Sequence, residues 1–465
     1  MTRTGSKTRK APAPARFDRR AFLGGVSASL LCARPALAQR VADLRGSIDA
    51  DQLGVRPGAP DDQSAQMQAA IDAAAERGRA LFLPGGRYAV SNLRLRPGSR
   101  LVGLAGQTRF DYQGGGHLLF AENASSVGME GIRFDGGNRA LGEYTPGLLH
   151  FADVSDLDIT GCTVQGSSKS GLALDRCQGR VTGNTLSGAR QAGLRSIEAR
   201  GLAILDNTVL DCGNAGILVY RWNAGEDGTI VSGNRIERIR AIDGGTGQNG
   251  NGINVFRASG VIVRGNRITD CAFSAIRSNS GSGLLVSGNS CLRSGETAIY
   301  SEFAFLGAVI ADNLVDGGAI GISIANFLDG GRLATCSGNI IRNIANEGPY
   351  PAEVQGFGIG IAVEADTAVT GNVIEGAARI GLHMGWGRYL RDVSATGNII
   401  RDCPTGVAVT VVEDAGPALL ANNMISGASD GAIVGYRWKD PATGDLIRAG
   451  ANLPAHLTLS GNLAG

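Results

Sequence analysis

Hydrophobic residues along this chain occur in short pulses of four to six residues, in which apolar and polar positions alternate. Residues 250–271, GNGINVFRASGVIVRGNRITDC, hold three such pulses, and the first two carry Ile253 with Val255 and Val261 with Val263. Alternation with a period of two predicts β-strands, and the Gly, Asn, Asp and Ser residues between pulses predict tight turns. We therefore expect short strands joined by sharp corners.

The pattern of residues 250–271, in which alternating apolar segments are separated by turn residues such as Gly-Asn, recurs along most of the chain. We call each copy a phrase, and the copies mostly follow one another at intervals of 22 to 27 residues. A fixed period in this range indicates a solenoid, and strands of period two select an all-β parallel β-helix over a helical repeat. Three strands would form each coil, and coils would stack about 4.8 Å apart. An asparagine closes each phrase at one corner, and we expect these side chains to form a hydrogen-bonded ladder: Asn184, Asn207, Asn234, Asn266, Asn289, Asn313, Asn339, Asn372, Asn398, Asn423 and Asn462.

The first 38 residues have the features of an export signal. A basic segment containing Arg19-Arg20 precedes a short apolar stretch and the small-residue site ALA at 36–38, which is the order typical of a signal peptide. The arginine pair followed by AFL resembles a twin-arginine signal, although Asp18 stands where Ser or Thr is usual. We expect a periplasmic or secreted protein that meets the twin-arginine export machinery during translocation.

Charge excludes some partners. Cleavage after Ala38 removes eight of the 44 basic and one of the 42 acidic residues, which leaves 36 basic and 41 acidic residues. A mature chain with a net charge near −5 gives no reason to expect nucleic acid or an anionic membrane as partner. No apolar run is long enough for a membrane-spanning helix in the mature protein, and we expect a monomer.

Cleavage of the signal removes Cys32, and we expect the other seven of the eight cysteines to be free thiols, although the protein is predicted to be exported. Cys212, Cys271 and Cys403 each follow a ladder asparagine by five residues, so they occupy one repeat position as small buried side chains. Cys212 and Cys271 would lie two coils apart, about 10 Å, which is too far for a disulfide.

Residues 39–110 differ from the repeats that follow in 111–465, and we predict that they cap the solenoid. Asp62 precedes an Ala-rich run in which Met67, Ala70, Ile71 and Ala74 have helical spacing. A helix over about 62–77 would cover the apolar side chains and open strand edges of the first coil.

The segment GV…DDQSAQMQAAIDAA…LFLPGGRY followed by GN-type coils resembles the pectate lyase-like right-handed β-helix superfamily. Together with the twin-arginine signal, it closely resembles the twin-arginine-translocated repetitive protein family. The resemblance covers essentially the whole mature chain and implies a right-handed, pectin lyase-like solenoid in an exported protein. The superfamily includes polysaccharide lyases, hydrolases, epimerases and non-catalytic members, so the fold does not settle the function.

Within each repeat of the form G-I-x-V-x, the apolar residues point into the core and the x positions point outward. In the middle coils the outward residues combine aromatic rings, Arg, Asn and carboxylates, which suits a groove for sugars. Solvation would explain any one of them, but their clustering favours a ligand groove. Four inserts, 220–228, 240–252, 343–358 and 384–392, border it, and Trp222, Tyr350, Trp386 and Tyr389 would form its walls.

The predicted catalytic residues lie at the centre of this face and toward its C-terminal end. Arg277 and Tyr300 should be neighbours on adjacent coils, where the cation would lower the pKa of the phenol so that Tyr300 acts as base and Arg277 stabilises an enolate-like charge. Glu302 and Glu364, two coils apart, suit the wide carboxylate spacing of an inverting hydrolase, and His383 would adjoin Glu364. The predicted substrate-binding residues are Arg195, Tyr220, Asn254, Phe256, Asn279, Trp222 and Trp386.

These residues point to a polysaccharide as partner and leave three functions open. The protein would be a uronan lyase or epimerase, a non-catalytic envelope protein that binds glycan or protein, or an inverting glycoside hydrolase. Neither the Asp-Pro-His motif of alginate epimerases nor the paired-Asp motifs of polygalacturonases occurs. No cofactor is expected, since no Cys/His spacing resembles a zinc site and no tight acidic cluster suggests calcium, although calcium stays open.

Overall fold

The computed structural model describes Met1 and residues 46–245, 247–325, 330–351, 356–448 and 450–465. The predicted signal, with Arg19-Arg20, the cleavage site after Ala38 and Cys32, lies outside the described residues. From Ser47 to Gly465 the chain forms one compact unit.

This unit is a parallel β-helix made of three long sheets, because successive strands from Leu81–Leu83 to Gly431–Arg437 join the three sheets in turn. Asp440–Asp445 then forms an antiparallel pair with Gly431–Arg437. Sheet 1 has 16 strands: Ile48–Asp49, Leu81–Leu83, Ser99–Gly103, Val127–Glu130, Leu157–Thr160, Gly179–Thr182, Ala203–Leu205, Ile230–Ser232, Ile262–Arg264, Leu284–Ser287, Leu306–Ala311, Arg332–Ser337, Thr367–Thr370, Val393–Thr396, Ala418–Ala421 and Leu457–Ser460.

The other two sheets have 15 strands each. Sheet 2 contains Leu93–Leu95, Leu119–Glu122, Gly147–Ala152, Ser170–Asp175, Ala192–Ile197, Ala215–Glu226, Asn251–Ser259, Ile276–Asn279, Thr297–Glu302, Ile320–Ala325, Ile359–Val363, Ile380–Met384, Thr405–Thr410, Gly431–Arg437 and Asp440–Asp445. Sheet 3 contains Gly86–Val90, Thr108–Tyr112, Arg133–Asp135, Thr163–Gln165, Thr185–Ser187, Thr208–Leu210, Arg235–Ile239, Arg267–Cys271, Ser290–Leu292, Leu314–Gly318, Ile340–Ile344, Val373–Ala377, Ile399–Arg401, Met424–Ser426 and Leu463–Ala464.

A single α-helix occurs in the described part of the chain, α1 at Ser64–Glu76, which confirms a short helix near the N-terminus. Its apolar face, Met67, Ala70, Ile71 and Ala74, is buried as the helical spacing predicts. Two short 3-10 helices, Ala50–Leu53 and Gly387–Tyr389, complete the helical structure of these residues. All three sheets already begin within residues 39–110, sheet 1 at Ile48–Asp49, sheet 3 at Gly86–Val90 and sheet 2 at Leu93–Leu95. The predicted boundaries at 38 and 110 stay predictions.

The predicted asparagine ladder is confirmed by its hydrogen bonds. Oδ1 of Asn207 accepts from the backbone N–H and from Nδ2 of Asn184, at 2.9 and 3.0 Å, and the pattern repeats from coil to coil up to Asn462. The residue before each ladder asparagine turns through positive φ, 66° at Gly183 and 55° at Asp206, which Gly, Asp and Asn tolerate best. This corner explains the recurring GN and DN pairs.

The core runs the length of the solenoid as one continuous cluster of inward-facing apolar side chains, mostly aliphatic, with aromatic rings such as Phe110 and Phe134 in the N-terminal coils. All seven cysteines of the described chain are free and buried within it, which confirms the prediction for these seven. Burial raises the pKa of the Cys212 thiol to about 12. Among the described residues, no helix is both long and apolar enough to cross a membrane.

Candidate functional site

The outward face of sheet 2 carries two parallel columns of side chains, set by the strand register. The first column runs through Arg195, Leu218, Asn254, Arg277, Tyr300, Ser323, Ala362 and His383. The second runs through Ile197, Tyr220, Phe256, Asn279, Glu302 and Ala325. Consecutive members of a column are about 4.8 Å apart.

Arg277 and Glu302 form the centre of this face. Nε of Arg277 donates a 2.6 Å hydrogen bond to Oε1 of Glu302, and Nδ2 of Asn279 donates to the same oxygen at 3.2 Å. The guanidinium carbon of Arg277 also lies 5.2 Å from the ring centre of Tyr300. The predicted neighbours Arg277 and Tyr300 are therefore in contact. Glu302 lies in the second column on the rung of Tyr300, and its carboxylate reaches Arg277 in the first column. We call Arg277, Asn279, Tyr300 and Glu302 the central cluster.

An aromatic pair adjoins the central cluster on its N-terminal side. The rings of Tyr220 and Phe256 are 5.5 Å apart with their planes at 56°. Nδ2 of Asn254 donates a 2.9 Å hydrogen bond to the Tyr220 hydroxyl. These three residues thus form one polar and aromatic surface that leads directly to Arg277.

The electrostatics of Tyr300 differ from the sequence expectation. Burial raises the pKa of its phenol above the ordinary range, and Glu302 raises it further, while Arg277 lowers it. The expected lowering by the cation is therefore outweighed. Burial and the nearby Glu302 carboxylate outweigh the effect of Arg277 on the phenol, so Tyr300 stays protonated at neutral pH.

Glu296, which precedes the Thr297–Glu302 strand, belongs to the same region and was not predicted from the sequence. The Tyr350 hydroxyl donates a hydrogen bond to its Oε1. Burial raises the pKa of Glu296, against the opposing effects of Tyr350 and Arg277. Glu296 was missed because it precedes its strand and so lies outside the G-I-x-V-x pattern. The only sequence feature that pointed to this region was the long insert 343–358, which contains Tyr350.

The inserts cover part of this face, so it is less open than the predicted groove. Glu302 is only 2% exposed, and Asn254, Glu364 and His383 are also buried although they lie on or beside the outward columns. The backbone at Gly247 lies directly against the guanidinium of Arg277. A Cβ added to Gly247 would be 1.5 Å from Nη1 of Arg277. Phe357 and Tyr350 pack with Ile320 and Ile359 in a second apolar cluster outside the core.

Several predicted site residues lie away from the central cluster. Arg195 is three rungs from Arg277, about 14 Å, and His383 is four rungs away, about 19 Å. Trp222 follows the second column and is 61% exposed. Glu364 comes directly after the Ile359–Val363 strand and influences Tyr300 electrostatically.

The strand register places His383 beside Ala362, and Trp386 and Tyr436 lie 6.2 Å from its ring. Burial and Arg379 lower the pKa of His383 to about 4. The expected contact of His383 with Glu364 stays a prediction. Trp386 in turn packs against Trp438, so these aromatic residues form a separate C-terminal group.

A second polar cluster lies on the N-terminal part of the same face, and only Arg195 of its members was predicted from the sequence. Nε2 of His150 is 2.9 Å from Oδ2 of Asp175, and Arg195 lies 3.5 Å from the other carboxylate oxygen. The ring of Phe120 packs 5.1 Å from His150. The signal was present in the strand Gly147–Ala152, where His150 occupies the same outward position as Arg277.

An open cavity of about 740 Å³ lies just beyond the ends of the sheet 2 strands, next to this face. Arg221 and Glu198, paired at 2.6 Å, line it together with Arg200 and Glu226. It holds charged side chains and is displaced from the central cluster. No group of three or more His, Cys, Asp or Glu side chains in the described ranges is arranged to hold a metal ion.

Solved structures with TM-scores of 0.50 and above support the fold. An N-terminal fragment of bacteriophage phi29 gene product 12 is 12% identical, with 96% of this chain and 73% of that chain covered and a TM-score of 0.52. PfbA, a surface adhesin of Streptococcus pneumoniae, is 13% identical, with 90% and 99% covered and a TM-score of 0.50. The A-module of a mannuronan C-5 epimerase from Azotobacter vinelandii is 17% identical, with 90% and 99% covered and a TM-score of 0.45.

A comparison with the curated proteins finds no match. The profile of the family described as "Right handed beta helix region" matches residues 104–246 and 224–389. These two matches together span more than half of the 465 residues. The chain therefore belongs to the right-handed β-helix family, and the right-handed parallel β-helix predicted from the sequence is confirmed.

Proposed function

We propose that this protein binds a polysaccharide along the outward face of sheet 2 and acts on it at the central cluster. The observation that carries the proposal is the buried Arg277–Glu302 pair, which contacts Tyr300 and is flanked by the aromatic pair Tyr220 and Phe256. Aromatic rings pack on the C–H faces of sugars, and fixed polar groups orient their hydroxyls. A flat stack of parallel strands supplies such positions at regular spacing for an extended chain.

The chemistry that these residues support best is proton transfer next to a uronate carboxyl, as in a lyase or epimerase. Such a reaction needs a base for the proton α to the carboxyl, a cation near the enolate-like charge and a proton donor. Arg277 is the cation. Because the pKa of Tyr300 is raised, we assign Tyr300 the role of proton donor in place of base, and the base is the carboxylate of Glu302.

An inverting hydrolase is the second candidate, and the carboxylates of this region support it. Glu302 and Glu364 lie about two rungs apart, roughly 10 Å between backbones, and side-chain reach brings such a pair into the spacing of inverting enzymes. Glu296, with its raised pKa, adds a third carboxyl group suited to donate a proton. In a non-catalytic binding protein, the same surface would bind glycan without turnover.

The export route belongs to the same proposal. We infer that the chain is a member of the twin-arginine-translocated repetitive family and reaches the periplasm or the exterior through Arg19-Arg20. Fusing residues 1–45 to a reporter that is active only after export tests this. Activity lost in the Arg19→Lys/Arg20→Lys variant supports the route, and activity retained in that variant contradicts it.

The activity is tested on residues 39–465, which contain the whole compact unit. The protein is incubated with acidic and neutral polysaccharides while unsaturated uronate, reducing ends and exchange of α-protons with solvent deuterium are followed. We expect unsaturated or deuterated uronate, with loss of at least about 100-fold in Tyr300→Phe and Glu302→Gln.

The matched control is Tyr88→Phe, which removes the hydroxyl of a buried core tyrosine on sheet 3. Reducing ends without unsaturation, lost in both Glu302→Gln and Glu364→Gln, would favour the hydrolase. Glycan binding with no change of the glycan, unaffected by Tyr300→Phe, would favour the non-catalytic protein.

A further inference from the structure

The outward face of sheet 3 changes character in the C-terminal half of the solenoid. Upstream, one outward column contains Thr163, Thr185, Thr208, Arg235, Arg267 and Ser290, all polar. From the next rung on, the same column is apolar for six consecutive rungs. We call these residues the apolar column: Leu314, Ile340, Val373, Ile399, Met424 and Leu463.

The apolar column is open to solvent in this structure. Ile340 is 49% exposed, Met424 54% and Leu463 62%, and the other three members are half-buried. Scattered exposed apolar residues are normal on a protein surface, but a contiguous row of this kind marks an interaction site. The row spans roughly 24 Å along the solenoid.

The neighbouring outward column carries charges of alternating sign. In order along the solenoid it contains Asp316, Arg342, Glu375 and Arg401, followed by the neutral Ser426. Within the chain, Arg342 pairs with Asp316 at 2.8 Å and Arg401 lies 3.6 Å from Glu375. The second pair is loose, and both of its side chains are 53% exposed, so each is free to meet a further partner.

From these two columns we propose that the apolar column is the interface of a homodimer, in which two copies pack sheet 3 face to face with their solenoids antiparallel. The two-fold axis lies parallel to the strands, midway between the rungs of Val373 and Ile399. This operation keeps each column opposite its own copy and reverses the order of rungs, as an isologous interface requires.

In this register every member of the apolar column meets an apolar residue of the second copy. Val373 faces Ile399, Ile340 faces Met424 and Leu314 faces Leu463, each twice by symmetry. In the neighbouring column, Glu375 faces Arg401 of the second copy, while Asp316 and Arg342 remain paired within each chain. No like charges are opposed, so this charge complementarity favours a second copy of this chain as the occupant.

The expected dimer is weak. A patch of roughly 24 Å by 17 Å covers about 400 Å² per copy, which is below the ~800 Å² per partner of a typical stable complex. The monomer expected from the sequence would then be the form at low concentration. The inference is independent of the proposed function, because sheet 3 is a different face from the one that carries the central cluster.

Sedimentation velocity of residues 39–465 from about 1 to about 100 µM tests the proposal, with an expected dissociation constant of about 10 µM. Ile340→Arg and Met424→Arg should each weaken association at least about 10-fold, since each places a charge against apolar residues. Val309→Arg is the matched control, because Val309 is a 40% exposed outward residue on sheet 1 and lies outside the interface. Circular dichroism checks that all variants fold.

A charge exchange tests the antiparallel register itself. Glu375→Arg and Arg401→Glu should each dissociate, because like charges then face each other across the two-fold axis. An equal mixture of the two variants should associate again as a heterodimer, because the arginine introduced at position 375 of one variant then faces the glutamate introduced at position 401 of the other. The ion pair of Glu375 with Arg401 within one chain cannot explain such a recovery.

A monomer at every concentration overturns the proposal, and so does a dimer that tolerates Met424→Arg. A mixture of the charge variants that stays monomeric overturns the antiparallel register. Binding of a hydrophobic dye to a strictly monomeric protein, lost in Met424→Arg, would assign the column to another partner and likewise contradict a dimer.

Discussion

Arg277 and Glu302 occupy different columns and adjacent rungs of sheet 2, yet Nε of Arg277 reaches Oε1 of Glu302 at 2.6 Å. The side chains are 14% and 3% exposed. The Arg277 guanidinium sits against the ring of Tyr300, and Asn279 hydrogen-bonds the same carboxylate oxygen. One buried ion pair therefore links the residues that we propose to act on substrate.

Removing one partner of this pair should destabilise the fold more than removing both. We expect Glu302→Gln to lower the free energy of unfolding by about 3 kcal/mol, because it leaves a buried guanidinium without a counter-ion. The Arg277→Met/Glu302→Leu variant should lose less than the single variant. Urea unfolding followed by circular dichroism measures both.

The control for this prediction is Arg293→Met, which opens the exposed pair with Asp270 and should leave the midpoint of unfolding unchanged. Equal losses in the single and double variants of the buried pair would show that its charges are not coupled.

Gly247 should be intolerant of any side chain. A Cβ at Gly247 would lie 1.5 Å from Nη1 of Arg277, and the residue has a φ of 118°. Gly247→Ala must therefore displace Arg277 from Glu302, and we expect a loss of about 2 kcal/mol in stability together with loss of the activity of the central cluster. Thermal unfolding and the polysaccharide assay measure the two effects.

Gly114→Ala separates backbone strain from this steric effect. Gly114 has a similar positive φ, 102°, but open space around its Cβ position. Its replacement should cost about 1 kcal/mol and leave activity intact. A fully active Gly247→Ala protein would contradict the contact.

The protein should lose stability below neutral pH, in part through His383. The pKa of His383 is lowered from 6.5 to about 4 by burial and by Arg379. As the pH falls, His383 is therefore protonated in the unfolded chain before it is protonated in the folded protein. The neutral imidazole contributes about 3 kcal/mol to the free energy of unfolding above about pH 6.5, and this contribution is lost as the pH falls to about 4.

His383→Gln should flatten this dependence, which urea unfolding at pH 7 and pH 4.5 measures. An unchanged loss of stability in His383→Gln would show that its imidazole does not resist protonation in the folded state.

Interrupting the asparagine ladder in its middle should cost more than interrupting it at its last rung. Asn289→Ala removes the donor to Asn313 and Val263 and the acceptor for the amides of Asn266, which leaves buried polar groups unsatisfied. We expect a loss of about 3 kcal/mol. Asn462→Ala, at a partly buried position, should cost about 1 kcal/mol, and chemical unfolding compares the two.

The two asparagines should differ because Asn289 is buried and Asn462 is only partly buried. If Asn462→Ala destabilises the protein as much as Asn289→Ala, the ladder acts as one cooperative unit and its hydrogen bonds do not contribute locally.

Sequence reasoning predicted the solenoid and much of the central cluster for one physical reason. A repeat with a fixed strand phrase determines which residues face outward and which coils are adjacent. The contact of Arg277 with Tyr300 and the stacking of Tyr220 beside Phe256 follow from that count alone. His150 was predictable in the same way, because the strand Gly147–Ala152 has the same alternation and places His150 in the first column, two rungs before Arg195.

The sequence by itself thus determined the parallel β-helix, its asparagine ladder, its buried thiols and the order of side chains on each face. These properties depend on period and register, which are local and repeated. Only the tertiary structure decided the raised pKa of Tyr300, the burial of Glu302, the approach of Tyr350 to Glu296 and the separation of His383 from the central cluster. Each of these depends on how irregular inserts fold back over the regular face, and no repeat encodes that packing.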